Sequence, residues 1–281
     1  YKTIYFEDVT DENNFNNLLH ATTLALKDLL KSINIKDNYS ALIVGLGNRK
    51  ATPDALGPLT IDSIKITRQI VELGLPLDSK YRVISSLVPG VMGTTGIETK
   101  EIIEGVIEKT KPDFLIVIDA LAASSLERIN KTIQITDTGI HPGSGLLNNR
   151  FEISKETLGL PVIAIGIPTV VDATTIVSNT INYIFRHFSY EKENINNNKL
   201  KLVPPSSRDY KNHDKTLERR EREEVMGLIG NLEEDEIKTL ITEVLTPLGY
   251  NLLVTPKEID FVIEKLSLLL SKALNKSLEL N

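Results

Sequence analysis

The sequence predicts an α/β protein: a three-layer, doubly wound sandwich with a largely parallel central sheet, followed by C-terminal helices. Two observations lead there. Short apolar runs alternate with longer helical patterns along the chain, the order expected of βαβ units. Two of the runs, LIVIDA at 115–120 and VIAIGI at 162–167, are apolar at both alternating sets of positions. Strands of that kind are covered on both faces, as in the middle of a parallel sheet.

The elements follow in order. TIYFE at 3–7 reads as the first strand. A helix over 12–34 opens near Asp11 and sets Phe15, Leu18, Leu19, Leu24, Leu26, Leu29 and Leu30 largely on one side. SALIVGL at 40–46 is the second strand, and a helical pattern runs over 56–73. RVISSL at 82–87 is the third strand; a helix over 99–110 is closed by Pro112 before the strand DFLIVID at 113–119. TIQITD at 132–137 and PVIAIGI at 161–167 complete the strands, and DATTIVSNTINYIFRHF at 172–188 is helical.

Composition changes after Phe188. Residues 189–215 are rich in Asn and Lys with two adjacent prolines, the pattern of a polar loop or linker. Residues 216–281 carry the charged ERREREEV and two further helical patterns, the last with a helix start at Thr255, Pro256 and Glu258. The expected division is therefore 1–188 as an α/β core, 189–215 as linker, and 216–281 as a helical segment packed on the core.

Bulk properties narrow the function. The 281 residues are enough to bury a real core, and 41% hydrophobic with 25% charged content is ordinary for a globular protein. A net charge of −6 gives no electrostatic case for nucleic-acid binding. No apolar run approaches the roughly 20 residues of a membrane helix. Cysteine is absent, which removes disulfides, thiolate catalysis and thiolate-held zinc, and fits a cytoplasmic protein. The chain opens without Met and with no signal or transit pattern, pointing to a fragment, a processed form or a trimmed chain.

The residues 45–58, GLGNRKATPDALGP, pose the first functional question. A glycine-rich turn after a strand often cradles phosphate. Here Lys50 stands where the third glycine of a dinucleotide fingerprint would be, no GK[ST] follows, and the turn carries an acid, Asp54. Asp54 is either an N-cap for the following helix or a functional carboxylate. Asp119 ends the run FLIVI at the carboxyl edge of a central strand, where open α/β sheets place their ligand crevice. Its structural alternative is a cap for a helix beginning at Ala120.

Two acids converging at that edge could share one proton. The ionised member would take a proton from water while the other donates to a carbonyl oxygen, hydrolysing an amide without metal or covalent intermediate. The TDTG at 136–139 copies one tripeptide of pepsin-like proteases, but those need two copies on an all-β frame, so Asp137 reads as a strand-end turn. His141 in GIHPGSG is structural or, beside two carboxylates, part of a divalent-metal site. Asp172 is a third acid whose first reading is helix capping. Gly93, in the loop PGVMGTTG at 89–96, sits on flexible backbone that could line a cleft or supply N–H donors.

Several ordered blocks are familiar together: GLGN…TPDALGP, PGVMGTTGIET, EGVIEKTKPDFLIVIDALAA, TIQITDTGIHPGSG and KETLGLPVIAIGIPTVVDA. The chain closely resembles the spore germination protease family, from about Tyr1 through TPLGYNLLVTPKEID. The resemblance implies an atypical aspartic-type endopeptidase that starts the degradation of small acid-soluble spore proteins. It implies a homotetramer in the spore core, made as a zymogen, cutting after an acidic and before an apolar residue. It assigns the catalytic aspartates to Asp54 and Asp119, with no cofactor. It implies a fold similar to the hydrogenase-maturation endopeptidases, which bind nickel and so keep a metal role for Asp54, Asp119 and His141 in view. Family members extend upstream of Tyr1. Arg49 and Lys50 depart from the aromatic-containing stretch expected before TPDALGP; two positive charges lining a cleft would favour acidic substrate residues.

Overall fold

The computed structural model of the chain describes residues 1–142, 152–197, 204, 210, 213–245 and 252–280. The strands are β1 (Lys2–Tyr5), β2 (Ala41–Gly45), β3 (Ile84–Leu87), β4 (Phe114–Ala122), β5 (Thr132–Thr136), β6 (Val162–Asp172) and β7 (Leu253–Val254). The helices are α1 (Glu12–Ser32), α2 (Leu56–Ile61), α3 (Arg68–Glu72), α4 (Met92–Thr95), α5 (Thr99–Thr110), α6 (Lys155–Leu158), α7 (Ala173–Glu193), α8 (Arg219–Met226), α9 (Glu234–Leu245) and α10 (Ile259–Leu278).

All six expected strands are present, in the sheet order β1-β5-β6-β4-β2-β3. β3, β2, β4 and β6 run parallel, and β1 and β5 are antiparallel additions. β4 is the central strand, flanked by β2 and β6. Strand alternation sorts the core into two layers. Ile43, Phe114, Ile116, Ile118 and Ile165 face a layer with Leu26 and Leu29 of α1 and Leu266, Leu270 and Leu274 of α10. Leu42, Val44, Leu115 and Val117 face the opposite layer, with Ile103 of α5. This is the expected three-layer arrangement.

The differences have local causes. Leu24 is exposed, because the buried set of α1 follows the 18, 19, 22, 25, 26, 29, 30 spacing of one helical stripe. The pattern at 56–73 yields two short helices instead of one. Thr67 interrupts it by acting as a substitute strand partner: its hydroxyl donates to Arg82 O at 2.6 Å and accepts from Ile84 N–H at 2.8 Å. β4 continues through Ala122, so no helix begins at Ala120.

The described residues form two compact units that divide at other points than 188 and 216. The first comprises 1–123, 127–170 and 255–281; the second comprises 124–126 and 171–254. The first holds the sheet up to Val170, with α10 packed against α1 and α2. The second contains α7, α8 and α9, with β7 pairing Val171 and Asp172 antiparallel, and α9 lying against α7. Helix periodicity gives α10 an apolar face, and that face lies against α1 and α2 of the first unit. Part of the polar stretch 189–215, and residues 246–251, lie outside the described residues.

Candidate active site

Asp54 is presented by backbone that approaches unusually closely. β2 ends at Gly45, and a 3-10 turn over Thr52–Asp54 precedes α2. A Cβ on Gly45 would lie 2.4 Å from Gly57 O, and one on Gly57 would lie 2.3 Å from Leu46 O. The missing side chains let the start of α2 lie directly on the end of β2. Gly47 has φ +110°, and a Cβ there would lie 2.0 Å from Asp54 O. Glycine in this turn therefore serves close packing around Asp54.

The turn spans the end of the central strand. On the β2 side, the Asn48 N–H donates to Asp54 Oδ2 at 2.8 Å and approaches Asp54 O at 3.1 Å. On the β6 side, the buried Thr169 hydroxyl donates to Pro53 O at 2.7 Å. β4 lies between β2 and β6. The turn carrying Asp54 is thus tied to the loop that leaves β2 and to β6, the two neighbours of the strand that carries Asp119, at the carboxyl end where that strand emerges.

Asp119 is only 6% exposed. It stands opposite Gly166 on β6, one residue beyond the Ile118–Gly45 pair with β2. Its Oδ1 accepts the Ala120 N–H at 2.9 Å. By alternation with Leu115 and Val117 it points to the face covered by α5. Neither acid is a helix cap: the residue before α2 is Ala55, without a side-chain cap bond, and β4 has no helix after Asp119. Each carboxylate instead accepts a nearby backbone N–H, that of Asn48 for Asp54 and that of Ala120 for Asp119.

The other candidates are placed differently. Arg49 makes a two-pronged ion pair with Asp62, at 2.6 and 2.7 Å, and donates to Pro58 O at 3.1 Å. Its hydrogen bonds to the Asp62 carboxyl hold that acid below its usual range. Arg49 therefore clamps the end of α2, with its charge matched by Asp62. Lys50 is exposed, its N–H donating to Asn48 Oδ1 at 3.0 Å.

His141 is exposed, its side chain at 61%, with Glu152 as ion partner at 3.8 Å. Among the described residues no group of three or more His, Cys, Asp or Glu side chains is arranged to hold a metal, so His141 does not join Asp54 and Asp119 in such a set. Residues 143–145 of its GIHPGSG loop lie outside the described residues. β5 runs opposite to β4 and is heading away from the Asp119 edge when it reaches exposed Asp137.

Asp172 is a helix cap, as first read: its carboxylate accepts the Thr175 N–H at 2.7 Å and the Thr175 hydroxyl at 2.9 Å at the start of α7. Gly93 is exposed in α4, and a Cβ there would meet nothing within 4 Å. Sequence reasoning missed Thr169. A β-branched residue inside an apolar run reads as ordinary strand, and its bond to Pro53 O is a contact across the fold that no local pattern announces.

Comparison with known proteins bears on what this arrangement does. The family model described as germination protease matches residues 1–281. The chain belongs to the germination protease family. The germination protease of Geobacillus sp. (strain WCH70) is 53% identical over 254 residues, covering 89% of this chain and 68% of that protein. That of Bacillus subtilis (strain 168) is 50% identical with 89% and 69% coverage, and that of Oceanobacillus iheyensis 46% identical with 99% and 77% coverage. Among solved structures, the [NiFe] hydrogenase maturation protease HycI from Thermococcus kodakarensis KOD1 matches with TM-score 0.33 and 22% identity, over 52% of this chain and 80% of that one. Membership of the germination protease family makes the chain a peptidase with a role in germination. Among the described residues, no helix is long and apolar enough to cross a membrane.

Proposed function

We propose that this germination endopeptidase cleaves small acid-soluble spore proteins by general acid/base attack of water, with Asp54 and Asp119 as the proton-sharing pair. The observation that carries the reading is the turn Thr52–Asp54, bound to the loop leaving β2 and to β6 beside the end of β4, where Asp119 is nearly buried. Carboxyl groups brought within a few ångströms in such a place cannot both ionise comfortably, so one keeps its proton.

The steps balance within the pair. The ionised carboxylate takes a proton from water as the water oxygen bonds to the scissile carbonyl carbon. The protonated carboxyl gives its proton to the carbonyl oxygen, forming a tetrahedral diol. The newly protonated acid then donates to the amide nitrogen as the C–N bond breaks, and its partner recovers a proton from the diol. The pair returns to its starting state with no covalent intermediate. The family resemblance supports the remaining features of the reading: a homotetramer in the spore core, made as a zymogen, with no direct contact to nucleic acid or membrane.

The experiment is peptide cleavage by Asp54→Asn and Asp119→Asn, with and without a chelator. Each substitution abolishes cleavage while leaving the thermal transition in place, and chelator leaves the unsubstituted enzyme active. Retained cleavage by either variant refutes the pair. Inactivation by chelator transfers the chemistry to a metal.

A further inference from the structure

The loop after β3 exposes large apolar side chains beside its threonines. Val88, Met92 and Ile97 are 37%, 45% and 48% exposed. The polar side chains between them are bound to the loop itself. Thr94 Oγ1 donates to Val91 O at 2.9 Å, and Thr95 Oγ1 lies 3.0 Å from Ile97 O and accepts the Ile97 N–H at 3.2 Å. Gly90 and Gly96, at φ +76° and +71°, turn the chain on either side of α4. Isolated exposed apolar residues are ordinary on protein surfaces. A short loop whose hydroxyls brace its own backbone while its large apolar groups face water is built to meet something apolar.

Its location says what. β3 pairs in parallel with β2, and β2 with β4, so the loop leaves the sheet at the same carboxyl edge as Asp54 and Asp119. It leads into α5, which covers the face to which Asp119 points. The ends of β3 and β4 are separated by two strand spacings, about 10 Å, or about three residues of extended chain. A peptide laid across the strand ends, with its scissile bond over β4, passes this loop.

Building on the assignment of Asp54 and Asp119, we infer that Val88, Met92 and Ile97 form a specificity wall. It takes an apolar side chain of the extended peptide substrate, about two to three residues from the scissile bond. Gly93, with open space where a Cβ would be, leaves room for the passing peptide backbone.

The test is a peptide series in which one residue alternates between Leu and near-isosteric Asn, scanned over three positions on each side of the cut. For the unsubstituted enzyme, kcat/KM favours Leu by about 10-fold or more at one position, within the range a hydrophobic pocket achieves. In the Met92→Ser, Ile97→Ser double variant that ratio falls to within about 2-fold, while ratios at the other positions persist. Val88→Thr, nearly isosteric, lowers the same ratio and serves if the double variant is unstable. The inference is overturned if the unsubstituted enzyme shows no Leu preference at the second or third residue from the cut on either side. It is also overturned if the variants keep the full preference or lose activity equally on every peptide. Because each ratio compares two peptides on one enzyme, it stays readable even if Asp54→Asn or Asp119→Asn retains cleavage, so failure of the wall and failure of the acid pair are separate results.

Discussion

Gly47→Ala tests whether the placement of Asp54 depends on backbone contact. At φ +110° the new residue occupies a conformation that side chains avoid, at about 1–3 kcal/mol. Its Cβ would start 2.0 Å from Asp54 O and 3.1 Å from Asp54 Oδ1. The first of these partners is backbone, not the movable tip of a side chain, so the turn has to retreat by about 1 Å, at about 1–3 kcal/mol of overpacking. Together these lower stability by about 2–6 kcal/mol, or on the order of 10 °C in Tm. Catalysis suffers separately, because a reacting group misplaced by about 1 Å costs about 10²-fold. The assay is kcat/KM on a cleavable peptide well below the variant's melting temperature, with Gly105→Ala on the exposed face of α5 as control, since a Cβ there meets nothing within 4 Å. Gly47→Ala that is folded and cleaves at the unsubstituted rate would refute the reasoning that this contact places the acid.

Other outcomes follow from the same geometry. Thr169→Val removes the donor to the part-buried Pro53 O, costing about 0.5–1.5 kcal/mol in denaturant unfolding. It also lowers kcat more than it raises KM, and a variant changed only in KM would count against a positioning role. Asp172→Ala removes two bonds at the start of α7 and destabilises by about 1 kcal/mol, read as loss of helical signal at lower denaturant; an unchanged midpoint contradicts the cap. The Asp62 carboxyl is held below its ordinary value by Arg49, so the pair's contribution is complete at neutral pH and is lost as pH falls through that lowered value. Both side chains are about half exposed, which limits the coupling to about 0.5 kcal/mol; an Arg49→Ala, Asp62→Ala double-mutant cycle whose coupling grows below about pH 4 would have the wrong sign.

Much of the fold was legible in the chain because burial on both faces leaves a mark in composition. Phe114–Ile118 and Val162–Ile167 are apolar throughout, and they are the central strand and its neighbour. Asp119 was legible for the same reason: a charge closing such a run is conspicuous. Asp54 was visible as an acid in a glycine-rich turn, but the purpose of the glycines was not. Gly45, Gly47 and Gly57 answer to backbone atoms of residues that share their turn, and the steric need appears only when the turn is closed. Arg49 shows what local pattern leaves out. Charge in a turn near a cleft invites a substrate role, whereas its partner Asp62, at the end of α2, stands within reach once the helix forms. Thr67 and Thr169 escaped for one shared reason, since both act through hydroxyls on backbone far along the chain.

The contact of α10 with the Thr52–Asp54 turn has a bearing on when the enzyme can come into being. Ribosomes release a chain from its amino end, and domains fold as their parts emerge. Here the helix that supports the turn is made about 200 residues after it, so a nascent chain holds both aspartates long before it holds this support. Synthesis order alone then delays the final placement of Asp54 until α10 has emerged.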